Sequence, residues 1–286
     1  MPDKKAGIYF SVILPCSGDF NAIRTSLLSI ARQQYKNFTV TCVITADKER
    51  ELNEAETFTS LPFTFVKKII PYGDVNIARS EGIQTVDGDW VCFINPGDEW
   101  LPHHLSVFVE AIKHNPDTTA LYSQNLLAGF SSIGRLRKEN NRIQLNLLKP
   151  QHFPVVTQCC IQRTAFENIR FPWLKFPVLG DVFFLRIVDV NYDFTRINQL
   201  SCKCKNEISK FSFARIDAFI LMSDYLIRNI FKDKSYRRFL LYSSYYWAII
   251  MLIKKFKLIS AGIYLWHFAK QYFVVTTSFN HVRHDL

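Results

Sequence analysis

The sequence predicts an open, mainly parallel α/β sheet flanked by helices, with a helical extension at its C-terminal end. Three observations carry that expectation. Short apolar runs alternate with amphipathic stretches over roughly the first 115 residues, the pattern of strands joined by crossover helices. The 286 residues are 48% apolar and 21% charged, which supports a sizeable core and excludes both a small stapled scaffold and extensive disorder. Beyond about Leu200 basic and aromatic residues rise together, so a composition boundary divides residues 1–200 from 201–286.

Taken in order, the apolar runs place strands at Phe10 to Leu14, Phe38 to Ile44, Phe63 to Val66 and Trp90 to Ile94. Between the first two, Ile23, Leu27, Leu28, Ile30 and Ala31 share one side of a helix over Phe20 to Gln34. Val75 to Thr85 continues the alternation. Leu105, Phe108, Val109 and Ile112 recur at helical spacing, and Pro116 ends that helix. From Ser123 to Pro154, Gly129, Gly134 and the cluster Arg135, Arg137, Lys138 break any period, giving a loop or a small hairpin layer. A strand resumes at Val155 to Ile161. Asp181 then opens a helix carrying Phe184, Leu185 and Val188, and Tyr192 to Ile197 is a late strand.

The seven cysteines are odd in number and lack the paired two-residue spacing of a zinc site, so they read as reduced, mostly buried thiols of a cytosolic protein. Eight lysine-bearing residues lead directly into the first strand, which leaves no apolar segment for export. The net charge of +10 is unevenly spread: residues 201–286 hold 14 Lys and Arg against 5 Asp and Glu.

In an open α/β sheet, ligands bind beyond the carboxyl ends of the strands. Two loops therefore come first, Pro15-Cys16-Ser17-Gly18-Asp19 after the first strand and Asn95-Pro96-Gly97-Asp98-Glu99-Trp100 after the fourth. Adjacent carboxylates after a Pro-Gly turn can hold a divalent cation that takes phosphate oxygens as further ligands, or they can cap the next helix from a surface turn. Arg79 lies on a helix near the strand ends, where its guanidinium can pair with a diphosphate or base edge, or with a neighbouring acid. His103 and His104 follow the acidic loop and read as solvated residues at a helix start. Cys202 and Cys204 alternate along a strand-like stretch without identifiable zinc partners, and His281 and His284 sit in an exposed tail.

The ordered blocks Phe10-Ser11-Val12-Ile13-Leu14-Pro15, Leu27 to Tyr35 with Ser29, Gln33 and Gln34, and Asn76-Ile77-Ala78-Arg79-Ser80-Glu81-Gly82-Ile83 resemble the inverting family 2 glycosyltransferases. The resemblance continues through Gly88-Asp89-Trp90-Val91-Cys92-Phe93-Ile94 and Asp98-Glu99-Trp100-Leu101-Pro102. It implies a GT-A-like, Rossmann-like fold that binds a nucleotide sugar, with Pro15, Ser17, Arg79 and Asn95 on the nucleotide. It further implies Mg²⁺ or Mn²⁺ at Asp98. Two blocks depart from the family pattern. Its Asp-x-Asp becomes Asn95-x-Gly97 followed by Asp98, and its acidic pair after the second strand becomes Ile44-Thr45-Ala46 with Asp47 downstream.

Inverting transfer needs a base opposite the departing diphosphate. Gly180-Asp181-Val182-Phe183-Phe184-Leu185-Arg186 resembles the family's acidic motif, which makes Asp181 the candidate base; the same residue can equally cap its helix.

In the tail, Lys210, Asp217 and Asp224 recur every seven residues among Ile216, Phe219, Ile220, Leu226, Ile227 and Ile230, an amphipathic helix. Phe239 to Ile253 is uncharged for fifteen residues, short of a bilayer span, and ends at Lys254-Lys255-Phe256-Lys257. With Trp247 and Trp266, these features fit a helix lying in the lipid interface, or a helical subdomain packed on the sheet. The expected protein is thus a cytoplasmic glycosyltransferase, peripheral at the inner face of the cell membrane. It would move a sugar from a nucleotide-sugar donor to a glycan or lipid-linked acceptor in bacterial surface polysaccharide or lipooligosaccharide synthesis, without binding nucleic acid. The rival readings are a GT-like binding scaffold without catalysis, and a single-strand nucleic-acid binder using the basic aromatic tail.

Overall fold

The computed structural model describes residues 7–16, 19–49, 61–73, 75–127, 130–131, 142–143, 154–168, 188, 192, 194–204, 245–246, 249 and 258–277. The chain divides into two compact units, Met1–Ser209 and Lys210–Leu286.

In the first unit the expected alternation is present. β1 (Phe10–Cys16) leads through α1 (Phe20–Ala31) to β2 (Phe38–Thr45), then β3 (Thr64–Ile70), α2 (Val75–Ile83) and β4 (Trp90–Phe93). Every residue of β1, β2 and β4 is buried, which fits their mostly apolar sequences, whose only polar members are the small Ser11, Thr39, Thr41 and Thr45. Asp19 caps α1 by accepting from the Asn21 N–H, and α1 buries Ile23, Leu27 and Ile30 against the sheet. Full burial of such a side chain is worth about 1.5–3 kcal/mol.

Next come β5 (Glu99–Trp100), α3 (His104–His114), β6 (Ala120–Leu127), β7 (Phe130–Ser131), β8 (Arg142–Ile143), β9 (Cys159–Gln162), α4 (Thr164–Asn168) and β10 (Phe194–Cys204). The sheet runs β3-β2-β1-β4-β9-β6-β10-β5, with β7 beside β6 and β8 beside β10. β3, β2, β1 and β4 are mutually parallel, as are β6 and β10, whereas β9 is antiparallel to β4 and β6. The chain moves outward from β1 to β3 and returns on the other side of β1 to form β4. The topological switch point therefore lies between the carboxyl ends of β1 and β4, where an open α/β sheet opens a crevice.

Three expectations are corrected. The strand at Val155 to Ile161 begins as a turn of 3-10 helix at Val156–Gln158, because the Gln158 side chain folds back to accept from the Val155 N–H and its own N–H bonds the Val155 carbonyl; only Cys159–Gln162 is extended. The weakly patterned stretch Ser123 to Pro154, read as a loop or a small hairpin layer, opens inside β6, an interior strand carrying Ser123, Gln124 and Asn125, with β7 antiparallel to its end. The late strand runs through Leu200 as far as Cys204. The helix expected over Lys210 to Lys232, all but the buried, helical Val188 of the helix expected at Asp181, and all but Tyr245, Tyr246 and Ile249 of the apolar run Phe239 to Ile253 lie outside the described residues.

All seven cysteines are buried, and none is in a disulfide. Burial and a neighbouring thiol push Cys42 and Cys160 well above the ordinary range; for Cys204 the Cys202 thiol is the leading cause. The Cys202 and Cys204 sulfurs are 3.9 Å apart, within reach of a thiol–thiol hydrogen bond.

Candidate functional site

Asn95 to Asp98 form a tight turn in which the Asp98 N–H donates to the Asn95 carbonyl at 3.0 Å. Pro96 and Gly97 occupy its centre, and Gly97 takes φ +86°, the left-handed value a glycine adopts without a Cβ clash. β4 ends against β1, with the Ile94 N–H donating to the Ile13 carbonyl. The turn accordingly sits at the switch point, beside Pro15 near the end of β1.

Arg79 comes to the same place from α2. Its guanidinium is buried and donates to Asn76 Oδ1 at 2.8 Å and to Asn95 Oδ1 at 2.5 Å. One helix and one strand end are thereby joined through a cation and an amide.

Asp98 is only 2% exposed. Its Oδ2 accepts from Thr157 Oγ1 at 2.5 Å, and its negative charge helps to raise Cys204 on β10. Among the described residues no group of three or more His, Cys, Asp or Glu side chains gathers into a metal cage. The donor set is one carboxylate oriented by a hydroxyl. That set fits a hard divalent cation only as an ion shared with substrate phosphates, the arrangement usual for Mg²⁺. Ser17 and Asp181 lie outside the described residues.

Sequence reasoning singled out Ser29 and Gln33 without a role for either, and it missed Ser26 and Thr157. Ser26 and Ser29 on α1, with Gln33 two residues past its end, form a buried polar stripe. Ser26 Oγ accepts from the Gly97 N–H at 2.9 Å and donates into the Asn95 and Asp98 carbonyls, each at 2.9 Å. Ser29 Oγ accepts from the Trp100 N–H; Gln33 accepts from the Leu105 N–H and donates to the Leu101 carbonyl. The stripe thus clamps the backbone that follows β4 on helix α1. Thr157 holds Asp98 from the other side, while its carbonyl accepts from Trp100 Nε1. A signal existed in α1, since polar residues on an otherwise apolar helical face imply buried partners.

The clamp makes a prediction. Ser26→Ala leaves polar backbone groups of the turn without the hydroxyl, so unfolding free energy should fall by about 1–3 kcal/mol. Thr25→Ala, which removes only an exposed bond to the Asn21 carbonyl, should stay within about 0.5 kcal/mol of the parent. Urea denaturation of both variants checks this, and equal effects would show that the clamp carries no stability.

The two histidines after the turn part company. His103 is half-buried and its Nε2 meets the Leu200 carbonyl at 2.9 Å. His104, expected to be solvated, is instead fully buried, stacked on Trp100 with centroids 4.4 Å apart and edge-on to Phe108. Its Nδ1 lies 2.7 Å from Ser201 Oγ, which in turn donates to Ser123 Oγ. Burial pushes the imidazole down from 6.5 to about 3; the Ser201 bond opposes the shift and the charge of His103 adds to it. His104 is therefore a neutral framework residue linking α3, β10 and β6.

A switch-point crevice entered by an arginine and an asparagine, on a sheet of this order, defines a nucleotide-binding α/β protein of the GT-A type. Residues 11–170, more than half of the chain, match the model of glycosyl transferase family 2, and the chain belongs to that family. It is 32% identical over 127 residues to the amylovoran biosynthesis glycosyltransferase AmsB of Erwinia amylovora, and 28% identical over 112 residues to a glycosyltransferase of Haemophilus influenzae. The chain spans about two fifths of the length of these curated relatives. Among solved structures it is similar in fold to S. aureus TarS, with a TM-score of 0.64 at 13% identity over 83% of this chain and 72% of that one. It is likewise similar to the mannosyltransferase PcManGT from Pyrobaculum calidifontis in complex with GDP-Man and Mn²⁺, with a TM-score of 0.61 at 17% identity over 94% and 77%.

Proposed function

We propose that this protein transfers a sugar, with inversion, from a nucleotide-sugar donor to a hydroxyl of a glycan or lipid-linked acceptor, in the synthesis of a bacterial surface polysaccharide or lipooligosaccharide. The observation that carries the reading is the Arg79–Asn95 contact at the β1/β4 switch point, which presents a cation and an amide where a nucleotide's ribose and phosphates would lie. Support for the donor class comes from the neighbours in fold, TarS in complex with UDP and with UDP-GlcNAc and PcManGT with GDP-Man. Support for the pathway class comes from the amylovoran biosynthesis relative.

In this reading residues 1–200 are the catalytic unit and 201–286 a membrane-proximal extension. Pro15 and Ser17 border the nucleotide, Arg79 and Asn95 bind it, and Asp98 contributes a carboxylate to Mg²⁺ or Mn²⁺ shared with the diphosphate. When bound, such an ion acts as a Lewis acid on the leaving oxygen. Asp181 takes the acceptor proton as the acceptor oxygen bonds to the anomeric carbon. The bond from that carbon to the diphosphate breaks, and its electron pair leaves with the nucleoside diphosphate. The protein works at the cytoplasmic face of the membrane, where a lipid-linked acceptor is presented; no helix among the described residues is long and apolar enough to cross it.

Nucleotide sugars screened by thermal shift and calorimetry, with and without Mn²⁺, test the reading. The correct donor at about 100 times its Kd should stabilise the fold by about 2.7 kcal/mol. Asp181→Asn should retain donor binding yet slow transfer by roughly 10²–10⁴-fold, and Asp98→Ala should abolish the Mn²⁺-dependent part of binding. If Asp98→Ala leaves Mn²⁺ dependence unchanged while lowering Tm, Asp98 is framework only. A second reading, a binding scaffold without catalysis, is favoured by the glycine at position 97 and the single carboxylate of the turn. It predicts no transfer to any acceptor.

A further inference from the structure

In the second unit the described helix α5 (Leu258–Thr277) carries one charged side chain in twenty residues, Lys270, and no acid. One face of it is packed: Ala261 is buried, Tyr264 and Phe268 are half-buried, and the Phe268 ring lies 5.6 Å from that of Tyr245. Successive residues rotate by about 100° around a helix. Ile263, Trp266 and Lys270 thus fall on the opposite side, and Leu265 lies beside the packed face. Trp266 is 62% exposed, Leu265 56% and Ile263 53%. Tyr246, next to the packed Tyr245, is exposed as well.

Large apolar side chains gathered opposite a packed face mark an interaction surface rather than scattered exposure. Charge selects the partner. From residue 210 onward the sequence holds 12 Lys and Arg against 4 Asp and Glu, with Lys254, Lys255 and Lys257 directly before α5. A second copy would set like charge against like charge. A nucleic-acid strand would match the lysines but not Ile263, which has no base or phosphate to meet. An anionic bilayer satisfies both, with aliphatic side chains among acyl chains and cations among headgroups. The Lys270 ammonium lies 5.6 Å from the Trp266 ring centroid, a pairing of amphipathic side chains suited to the depth where hydrocarbon gives way to headgroups.

We propose that α5 docks on an anionic phospholipid surface through Ile263, Trp266 and Lys270, lying along the membrane. The proposal rests on the peripheral position inferred above and names the face responsible.

Flotation of the full chain with phosphatidylcholine vesicles, with and without phosphatidylglycerol, tests it. Binding to the anionic vesicles alone, falling as salt rises, is expected. Ile263→Ser combined with Trp266→Ser should lower partitioning by roughly tenfold or more, and Lys270→Glu severalfold. All of these side chains are exposed, so Tm and donor affinity should not change. Quenching of tryptophan fluorescence by brominated lipid should fall in Trp266→Phe while binding persists. Absence of vesicle binding, or unchanged binding by the double variant, overturns the proposal. So does a concentration-dependent dimer abolished by Trp266→Ser, or preferential binding of single-stranded nucleic acid, either of which reassigns the face. Vesicle binding lost with donor binding intact refutes only the docking; donor binding absent with vesicle binding intact refutes only the transferase chemistry.

Discussion

The stability of the protein should fall steeply as pH drops below about 6.5, and His104→Phe should flatten much of that slope. The folded state holds the His104 imidazole near 3, whereas the unfolded chain titrates near 6.5. Between those values the unfolded state binds more protons, so unfolding free energy rises with pH across the window. The contribution is complete above pH 6.5 and is lost progressively down to about pH 3. At about 1.36 kcal/mol per pH unit the full span amounts to about 5 kcal/mol, comparable to the entire stability of a marginal domain. The cause is desolvation: with Ser201 donating to Ser123, His104 Nδ1 carries the proton that Ser201 accepts. Nε2 is then a buried acceptor with no partner, and protonating it would place a charge between Trp100 and Phe108. Phenylalanine keeps the ring contacts and cannot titrate. Urea midpoints of the parent and His104→Phe from pH 4.5 to 8 decide the matter, and parallel curves would remove His104 as the origin of acid sensitivity.

Gly88→Ala should be among the most damaging small substitutions in the chain, lowering stability by roughly 2–4 kcal/mol. Position 88 does not need glycine for a positive φ. It needs glycine for close approach: a Cβ there would lie 2.6 Å from Ser11 N and 2.8 Å from both Phe10 C and Ser11 Oγ. These atoms belong to β1, which β2 and β4 hold on both sides, so the backbone cannot retreat. Any shift would also disturb the bond from the Gly88 N–H to Ser11 Oγ at 2.9 Å. Gly262→Ala is the matched control, since a Cβ there meets nothing within 4 Å and the site is helical; it should stabilise α5 by up to about 1 kcal/mol. Thermal or urea unfolding that ranks the two substitutions equally would refute the packing argument.

Much of the first half of the fold was legible because its physics is local. β1, β2 and β4 are buried on both faces and therefore hold only apolar and small polar residues, and α1 shows its core face at helical spacing. The topological rule for α/β sheets then directed attention to the loops after β1 and β4, and the structure brings Arg79 and Asn95 together there. Beyond residue 115 the local signal thinned for an identifiable reason. β6 carries Ser123, Gln124 and Asn125 in the sheet, and the Ser123 hydroxyl and carbonyl are partnered by Ser201 and Gln158, residues 78 and 35 positions away. Periodicity cannot report a polar interior strand whose partners are so distant in sequence.

The sequence by itself determined the class of fold, the family blocks, the position of the switch-point loops and the basic aromatic character of the last third, because composition, spacing and turn chemistry are properties of neighbours along the chain. Only the tertiary structure decided that His104 is a neutral buried residue, that Ser26 and Thr157 hold the turn around Asp98, and that one side of α5 keeps Trp266 exposed. Burial and hydrogen-bond partnership depend on segments that meet after folding, so the same histidine, serine or tryptophan takes either role until its surroundings are assembled.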